Sequence, residues 1–192
     1  RSISYMFYGC SKLEEIKGLS NFKTDNIIKM KSIFYNCENL ILLDLTKFRT
    51  DKVNELNHLF FGCSNLKEIR GLTNFKTDNA TTMKCMFSGC KNLTSLDLSS
   101  FDSKNAKEMS YLLEGCSSLK ELNINGFIYN NQFKMDGIFK GIDKTKCKLK
   151  VTSSQKEPKH ESPIKNPLLN SKTKISIESK DYNFKKELEN DN

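Results

Sequence analysis

The chain has 192 residues, of which 37% are apolar and 10% aromatic, and this is enough to build a hydrophobic core. Its formal net charge of +8 keeps anionic partners under consideration. Its seven cysteines are an odd number, which excludes a framework in which every cysteine forms a disulfide within the chain.

A cysteine that follows a short apolar segment recurs along the first 151 residues. Successive copies are 27, 26, 27 and 26 residues apart, and Ile142 occupies the next position of the series. A fixed period of this length is typical of proteins that stack one structural unit on the next. We therefore predict a repeat domain over residues 1–151, marked by five cysteines: Cys10, Cys37, Cys63, Cys90 and Cys116.

Each unit begins with a pattern that predicts a short strand. In the unit of Cys37 this pattern consists of Leu40, Leu43 and Leu45, whose spacing is typical of a chain that enters and leaves a core. Alternate units carry one additional residue at the end of the strand, Gly18 or Gly71. We predict that this glycine forms a bulge in alternate strands.

The second half of each unit predicts a short helix. Between Val53 and Cys63 the apolar residues are three or four positions apart, which lines one face of a helix. Thr50 or Asp51 would cap its first turn, because a side-chain oxygen can accept from the free N–H groups there. The predicted fold class is therefore an α/β repeat solenoid of short parallel strands, each followed by a short helix, with 26–27 residues per unit.

The five repeat cysteines are interpreted as core residues. Free cysteine is among the most frequently buried residue types, and Ile142 replaces it in the last unit. Disulfides between units stay open as an alternative, because neighbouring strands lie about 4.8 Å apart. No metal site is predicted, since there is no C-x-x-C and the two histidines are His58 and His160. Cys85, which lies off the period, is predicted to be the most accessible thiol.

A column of polar residues stands seven positions after each repeat cysteine. In the strand pattern this position points away from the core, and its charge alternates in sign between neighbouring units. Opposite charges on adjacent strands stabilise the register, and the same column would also provide the floor of a polar binding surface. The predicted partner contacts are Lys17, Asp44, Arg70, Asp97 and Asn123.

A second column predicts a basic edge, formed by Lys23, Arg49 and Lys76, each of which follows a phenylalanine. Residues 1–151 hold 23 of the 31 Lys and Arg residues and 16 of the 23 acidic ones, so the excess positive charge belongs to the repeats. The edge is either a solvated surface or a contact for an anion or a glycan.

The sequence contains no motif that predicts catalysis. It has no G-x-S-x-G, no P-loop and no histidine and carboxylate at useful spacing. A basic chain attracts phosphate in general, but there is no aromatic and basic RNA motif and no recognition helix, so nucleic acid is not the predicted partner. The chain is therefore predicted to be no enzyme and to use no cofactor and no metal.

The repeat resembles a known family. Residues 91–116, KNLTSLDLSSFDSKNAKEMSYLLEGC, follow the succession GCxxLxxLDLSxFDTxNVxxMxxMFxGC of the BspA-type leucine-rich repeats in bacterial and protist surface proteins. The resemblance covers residues 1–151. It implies a leucine-rich-repeat horseshoe at the cell surface or outside the cell, which binds a protein or a glycan in adhesion and carries no catalytic residues. The alternative is a cytoplasmic leucine-rich-repeat scaffold for protein interactions.

The two ends of the chain differ from the repeats. Residues 152–192 are rich in Ser, Lys, Glu and Asn and contain all three prolines, which predicts a disordered tail. This tail contains no transmembrane run and no sorting motif. Because Arg1 falls inside a unit, we expect the sequence to be a fragment of a longer array. The ligand, the mode of anchoring and the oligomeric state are not predicted.

Overall fold

A computed structural model describes residues 1–127 and 134–150, in which successive units stack on one another. The described strands are short and lie at one position of each unit: β1 (Leu42–Asp44), β2 (Glu68–Arg70), β3 (Ser95–Asp97), β4 (Glu121–Asn123) and β5 (Lys148–Lys150). Strands β1 and β2 form one parallel sheet, and β3, β4 and β5 form another. The predicted parallel strands are thus present. The predicted tail at 152–192 lies outside the described residues.

The strands pair in a register that matches the period of the sequence. Leu43 is paired with Ile69, and Leu96 with Leu122, which are the same positions of consecutive units. A second parallel ladder of isolated bridges joins six units at another position of the repeat, through Ser2, Lys29, Glu55, Thr82, Glu108 and Lys134. Each unit is therefore bonded to the next through its backbone at more than one place.

The predicted helix after each strand is wrong. In the described residues that segment forms turns, and its amides bond to the next unit: Ser32 N donates to Asn57 O at 3.0 Å and Phe34 N to Leu59 O at 3.0 Å. These amides cannot also bond four residues back along their own chain, as an α-helix requires. The only helices among residues 1–127 and 134–150 are two 3-10 turns, Leu19–Asn21 and Leu72–Asn74.

A left-handed residue in each turn segment also prevents a helix. Five residues that are not glycine occupy the same position in successive units and have φ between 51° and 65°: Tyr5, Ser32, His58, Cys85 and Tyr111. In the last unit a glycine, Gly137, takes this position. A left-handed residue interrupts a right-handed helix. Apolar spacing of three and four residues was therefore compatible with a repeated turn as well as with a helix.

The residue predicted as a helix cap instead joins two units. Thr50 is buried, and its Oγ1 accepts from Lys76 N at 2.8 Å and donates to Lys76 O at 2.9 Å. Its equivalent Thr24 accepts from Arg49 N at 2.6 Å. These hydroxyls form hydrogen bonds with backbone groups of the next unit that lie outside the strands and so have no strand partner.

The extra glycines begin 3-10 turns and are not bulges within strands. Gly71 has φ 86° and Gly18 has φ 76°, and each precedes one of the two 3-10 turns. A Cβ on Gly71 would lie 2.5 Å from Thr46 N, so this glycine also permits the close approach of two units.

The core holds four of the five repeat cysteines. Cys37, Cys63, Cys90 and Cys116 are fully buried, and the thiol of each donates to a phenylalanine carbonyl of the preceding unit at 3.0–3.2 Å. All seven cysteines of the chain are free, so no disulfide joins the units.

Two predictions about the cysteines are wrong. Cys10, predicted to be in the core, is exposed. Cys85, predicted to be accessible, is buried, with 8% of its surface exposed. Burial raises the pKa of the Cys85 thiol.

Candidate functional site: the strand face

The structure brings most of the predicted contact column together in two groups. Asp44 on β1 lies in register with Arg70 on β2, and Asp97 on β3 lies in register with Asn123 on β4. Asp44, Arg70 and Asp97 are exposed, and Asn123 is half-buried. Lys17 is exposed as well, but it belongs to no described strand and is not paired in register. We call the surface that carries these five residues the strand face.

The strand face includes a residue that counting from the cysteines missed. Lys150 on β5 lies in register with Asn123. Seven positions after Ile142 stands the buried Leu149, because the last unit is one residue longer between this position and its strand. The alternation of exposed and buried residues in Lys148, Leu149 and Lys150 is the signal that would have identified Lys150.

The alternating charges do not form direct ion pairs along the column. Arg70 Nε donates to Glu68 Oε1 of the same strand at 2.9 Å. The Asp44 carboxylate accepts from Thr46 N at 3.0 Å and from Thr46 Oγ1 at 2.7 Å. These hydrogen bonds lower the pKa of Asp44, and the charge of Arg70 adds a smaller contribution. The carboxylate is thus held ionised and oriented, with lone pairs still facing solvent.

Asp97 is the more enclosed carboxylate of the two groups. Burial alone would raise its pKa, but hydrogen bonds from Ser99 and Asn123 and the charge of Lys150 outweigh it, so the pKa is lowered. Asp97 is consequently charged at neutral pH.

The strand face is interrupted between β2 and β3. In the unit of Asp44 the residue after the strand continues the ladder, since Leu45 N donates to Arg70 O at 2.9 Å. Gly71 occupies that position behind β2 and starts a 3-10 turn instead, and no pairing joins β2 to β3. An open groove of about 180 Å³ results, lined in part by Lys67, Glu68, Ser95 and Asp97. Typical small-molecule pockets hold ~300–1,000 Å³, so the groove suits contact with a surface side chain better than enclosure of a substrate.

The predicted basic edge is exposed but is not uniformly basic. Lys23, Arg49 and Lys76 occupy equivalent positions of three units, and a buried threonine follows each of them. An aspartate follows each threonine, and Arg49 Nε lies 3.0 Å from Asp51 Oδ1. The cation column is therefore accompanied by an anion column, which the repeated sequence K-T-D or R-T-D already indicates.

Neither a metal-binding cluster nor a membrane-spanning helix is found in the part of the chain that the structure describes. Within residues 1–127 and 134–150, no group of three or more His, Cys, Asp or Glu side chains could hold a metal ion. No helix in the same part of the chain has the length and apolar character needed to cross a membrane.

Comparison with known proteins identifies a family and a similar solved structure. No curated protein matches the chain. A crystal structure of a leucine-rich repeat protein from Bacteroides ovatus is similar at 17% identity and a TM-score of 0.30. The similarity covers 77% of this chain and 51% of that one, so the chain spans about half the length of that structure. A family model described as "Mycoplasma protein of unknown function, DUF285" matches residues 1–68 and 30–152, and the chain belongs to this family.

Proposed function

We propose that the chain is a non-catalytic binding module, a leucine-rich-repeat solenoid that recognises a protein or a glycan through its strand face in adhesion at a cell surface. The observation that carries the proposal is the column of the exposed Asp44, Arg70 and Asp97 and the half-buried Asn123 beside an open groove. The surface localisation derives from the resemblance of residues 91–116 to BspA-type repeats. A side chain such as Asp44 is oriented before any ligand arrives, which reduces the entropy lost on binding.

A second candidate is an intracellular scaffold that uses the same strand face. The specific observation in its favour is that all seven cysteines are free. Proteins of oxidising compartments usually form disulfides, whereas cytoplasmic thiols stay reduced. The four stacked thiols of the core would have to escape oxidation during secretion if the protein were at the surface.

Antibody labelling of native cells separates the two candidates. Signal on intact cells supports the adhesion proposal, and signal that requires permeabilisation supports the scaffold. An antibody against a cytoplasmic protein of the same cells serves as the control for membrane integrity.

The binding surface is tested with charge reversal. The double variant Lys17→Glu with Arg70→Glu should weaken binding of a ligand found in a panel of matrix proteins and glycans. The control Lys12→Glu with Lys107→Glu changes the net charge equally at exposed positions off the strand face. Equal affinity of the two folded variants would place the site elsewhere. A loss seen only in Lys23→Glu with Lys76→Glu would place it at the basic edge.

A further inference from the structure

A row of stacked aromatic rings lies on the turn segments, away from the strands. The rings of Tyr8 and Tyr35 are 4.6 Å apart and those of Tyr35 and Phe61 are 4.7 Å apart, with interplanar angles of 9° in both pairs. Tyr8 is exposed, and Tyr35 and Phe61 are half-buried. We call Tyr8, Tyr35 and Phe61 the aromatic ladder.

The fold does not require aromatic residues at this position. The equivalent residues of the later units are Ser88, Glu114 and Lys140. Their backbones make the same bonds between units: Asn36 N donates to Phe61 O at 2.7 Å, Gly62 N to Ser88 O at 2.8 Å and Gly89 N to Glu114 O at 2.7 Å. Serine and glutamate therefore support the same turn. The aromatic side chains of Tyr8, Tyr35 and Phe61 are not needed for the backbone bonds of the turn and give the surface its aromatic character.

A histidine and two lysines lie beside the aromatic ladder on one flank. The ring of His58 lies 5.7 Å from that of Phe61 and 6.1 Å from that of Tyr35. Burial lowers the pKa of His58, and the nearby charges of Lys31 and Lys84 lower it further, with Glu108 opposing them. Lys31 Nζ lies 5.7 Å from the ring centroid of Tyr5, which itself meets Tyr8 edge to face. Lys84 forms an ion pair with Glu108 at 2.9 Å. Lys31 instead contacts the ring of Tyr5, and within residues 1–127 and 134–150 it forms no ion pair.

The arrangement of the rings favours a protein partner over a glycan. Sugar rings pack on the faces of aromatic side chains, but both faces of Tyr35 are covered, one by Tyr8 and the other by Phe61. Tyr35 therefore presents only its ring edge, which carries partial positive charge. Exposed Tyr and Phe residues are also enriched in the centres of protein interfaces.

We propose that the aromatic ladder is a second docking surface, distinct from the strand face, for an acidic protein segment with an apolar or aromatic anchor. The anchor packs along the edges of Tyr35 and Phe61, and the carboxylates of the segment lie near Lys31 and the ring edges. This surface lies on the turn segments and does not depend on whether the strand face binds a ligand.

Selection from a displayed library of short random peptides on the full chain tests this proposal. The counter-selection uses the double variant Tyr35→Ser with Phe61→Ser, because serine occupies the same position at Ser88. The enriched peptides should combine Asp or Glu with an aromatic or leucine residue. A synthetic peptide of the enriched sequence should bind the double variant about tenfold more weakly or worse, and Lys31→Glu should also weaken its binding. Glu114→Ser, in the same column beyond the ladder, should leave it unchanged.

Three results would overturn the proposal. These are enrichment that the double variant retains, enrichment of basic peptides, and ladder-dependent binding of a neutral glycan in place of peptides. If the double variant does not fold, as judged by circular dichroism and urea unfolding, Phe61→Ser alone and Lys31→Glu decide the question. Retained affinity for the peptide in both of these variants would then exclude the surface.

Discussion

The thiol of Cys63 donates a hydrogen bond to the carbonyl oxygen of Phe34, which lies 3.0 Å away and 29 residues earlier in the chain. Three other cysteines repeat this bond to the phenylalanine of the preceding unit. The cysteine therefore fills a corner of the core, and its thiol adds a second hydrogen bond to a carbonyl that already accepts from Cys37 N at 3.2 Å. Alanine could not supply this bond.

Replacement of a stacked cysteine should cost more stability than replacement of the exposed one. Cys63→Ala removes a buried sulfur atom and leaves the carbonyl of Phe34 without this donor, so we expect it to lower the free energy of unfolding by about 1–3 kcal/mol. Cys10→Ala should change it by less than about 0.5 kcal/mol. Urea unfolding of residues 1–192 measures both values, and equal effects of the two substitutions would contradict the burial described for Cys63.

Stability should fall above pH 9. The ordinary thiol pKa is 9.0, whereas burial raises the pKa of Cys116 to about 12 and raises those of Cys63 and Cys90 as well. Between these values the unfolded chain loses protons that the folded chain keeps. The stability is therefore fully present below pH 9 and is lost as the pH rises toward 12, by about 1.4 kcal/mol per pH unit for each such thiol.

The contribution of one thiol to this pH dependence can be isolated with matched variants. Cys63→Ala should reduce the slope of the free energy of unfolding against pH between 9 and 11, and Cys10→Ala should leave it as in the original chain. Because lysines and tyrosines titrate equally in the three proteins, the difference in slope reports the thiol. A slope that is the same in all three would show that Cys63 ionises in the folded chain as readily as in the unfolded one.

Thiol reagents should distinguish Cys10 from the other cysteines. Cys10 is exposed, while burial raises the pKa of both Cys37 and Cys147 to about 11. At pH 8 a thiol of that pKa is ionised in only about one molecule in a thousand. Native protein should thus show one rapidly labelled thiol, and all seven after denaturation. Cys10→Ser should abolish the rapid phase, and its persistence would indicate that another thiol is accessible.

The two turn glycines should differ in their tolerance of a side chain. Both have a left-handed backbone, which costs about 1–2 kcal/mol for alanine. At Gly71 a Cβ would also lie 2.5 Å from Thr46 N, whereas at Gly18 the nearest atom is Asn21 Nδ2 at 3.5 Å. We expect Gly71→Ala to lower the unfolding free energy by at least about 1 kcal/mol more than Gly18→Ala does. Comparable urea midpoints for the two variants would argue against the close contact of units at Gly71.

The period and the strand pattern were readable from the sequence because each depends on local repetition. A cysteine every 26 or 27 residues places equivalent residues side by side, and Leu43 does lie opposite Ile69. The alternation around Leu43 also identified Asp44 as the exposed residue of its strand. Period and alternation survive in a linear sequence, since both follow from the geometry of a single stacked unit.

The helix was predicted wrongly because apolar spacing does not reveal where amide groups bond. Ser32 N could bond within its own unit or to Asn57 O of the next unit. Only the stacked structure shows that it bonds to Asn57 O. The same holds for Thr50, whose hydroxyl was interpreted as a cap and instead bonds to Lys76. In each case a group that was expected to satisfy its own segment satisfies a neighbouring one.

The sequence by itself determined the repeat length, the strand positions and the exposed polar column, because these depend on the order of residues within one unit. The tertiary structure decided which residues of neighbouring units lie in contact. It exposed Cys10 and buried Cys85, opened the groove between β2 and β3 behind Gly71, and stacked Tyr35 on Phe61. The physical reason is that burial, register and ring stacking are properties of two units in contact, and no single unit contains them.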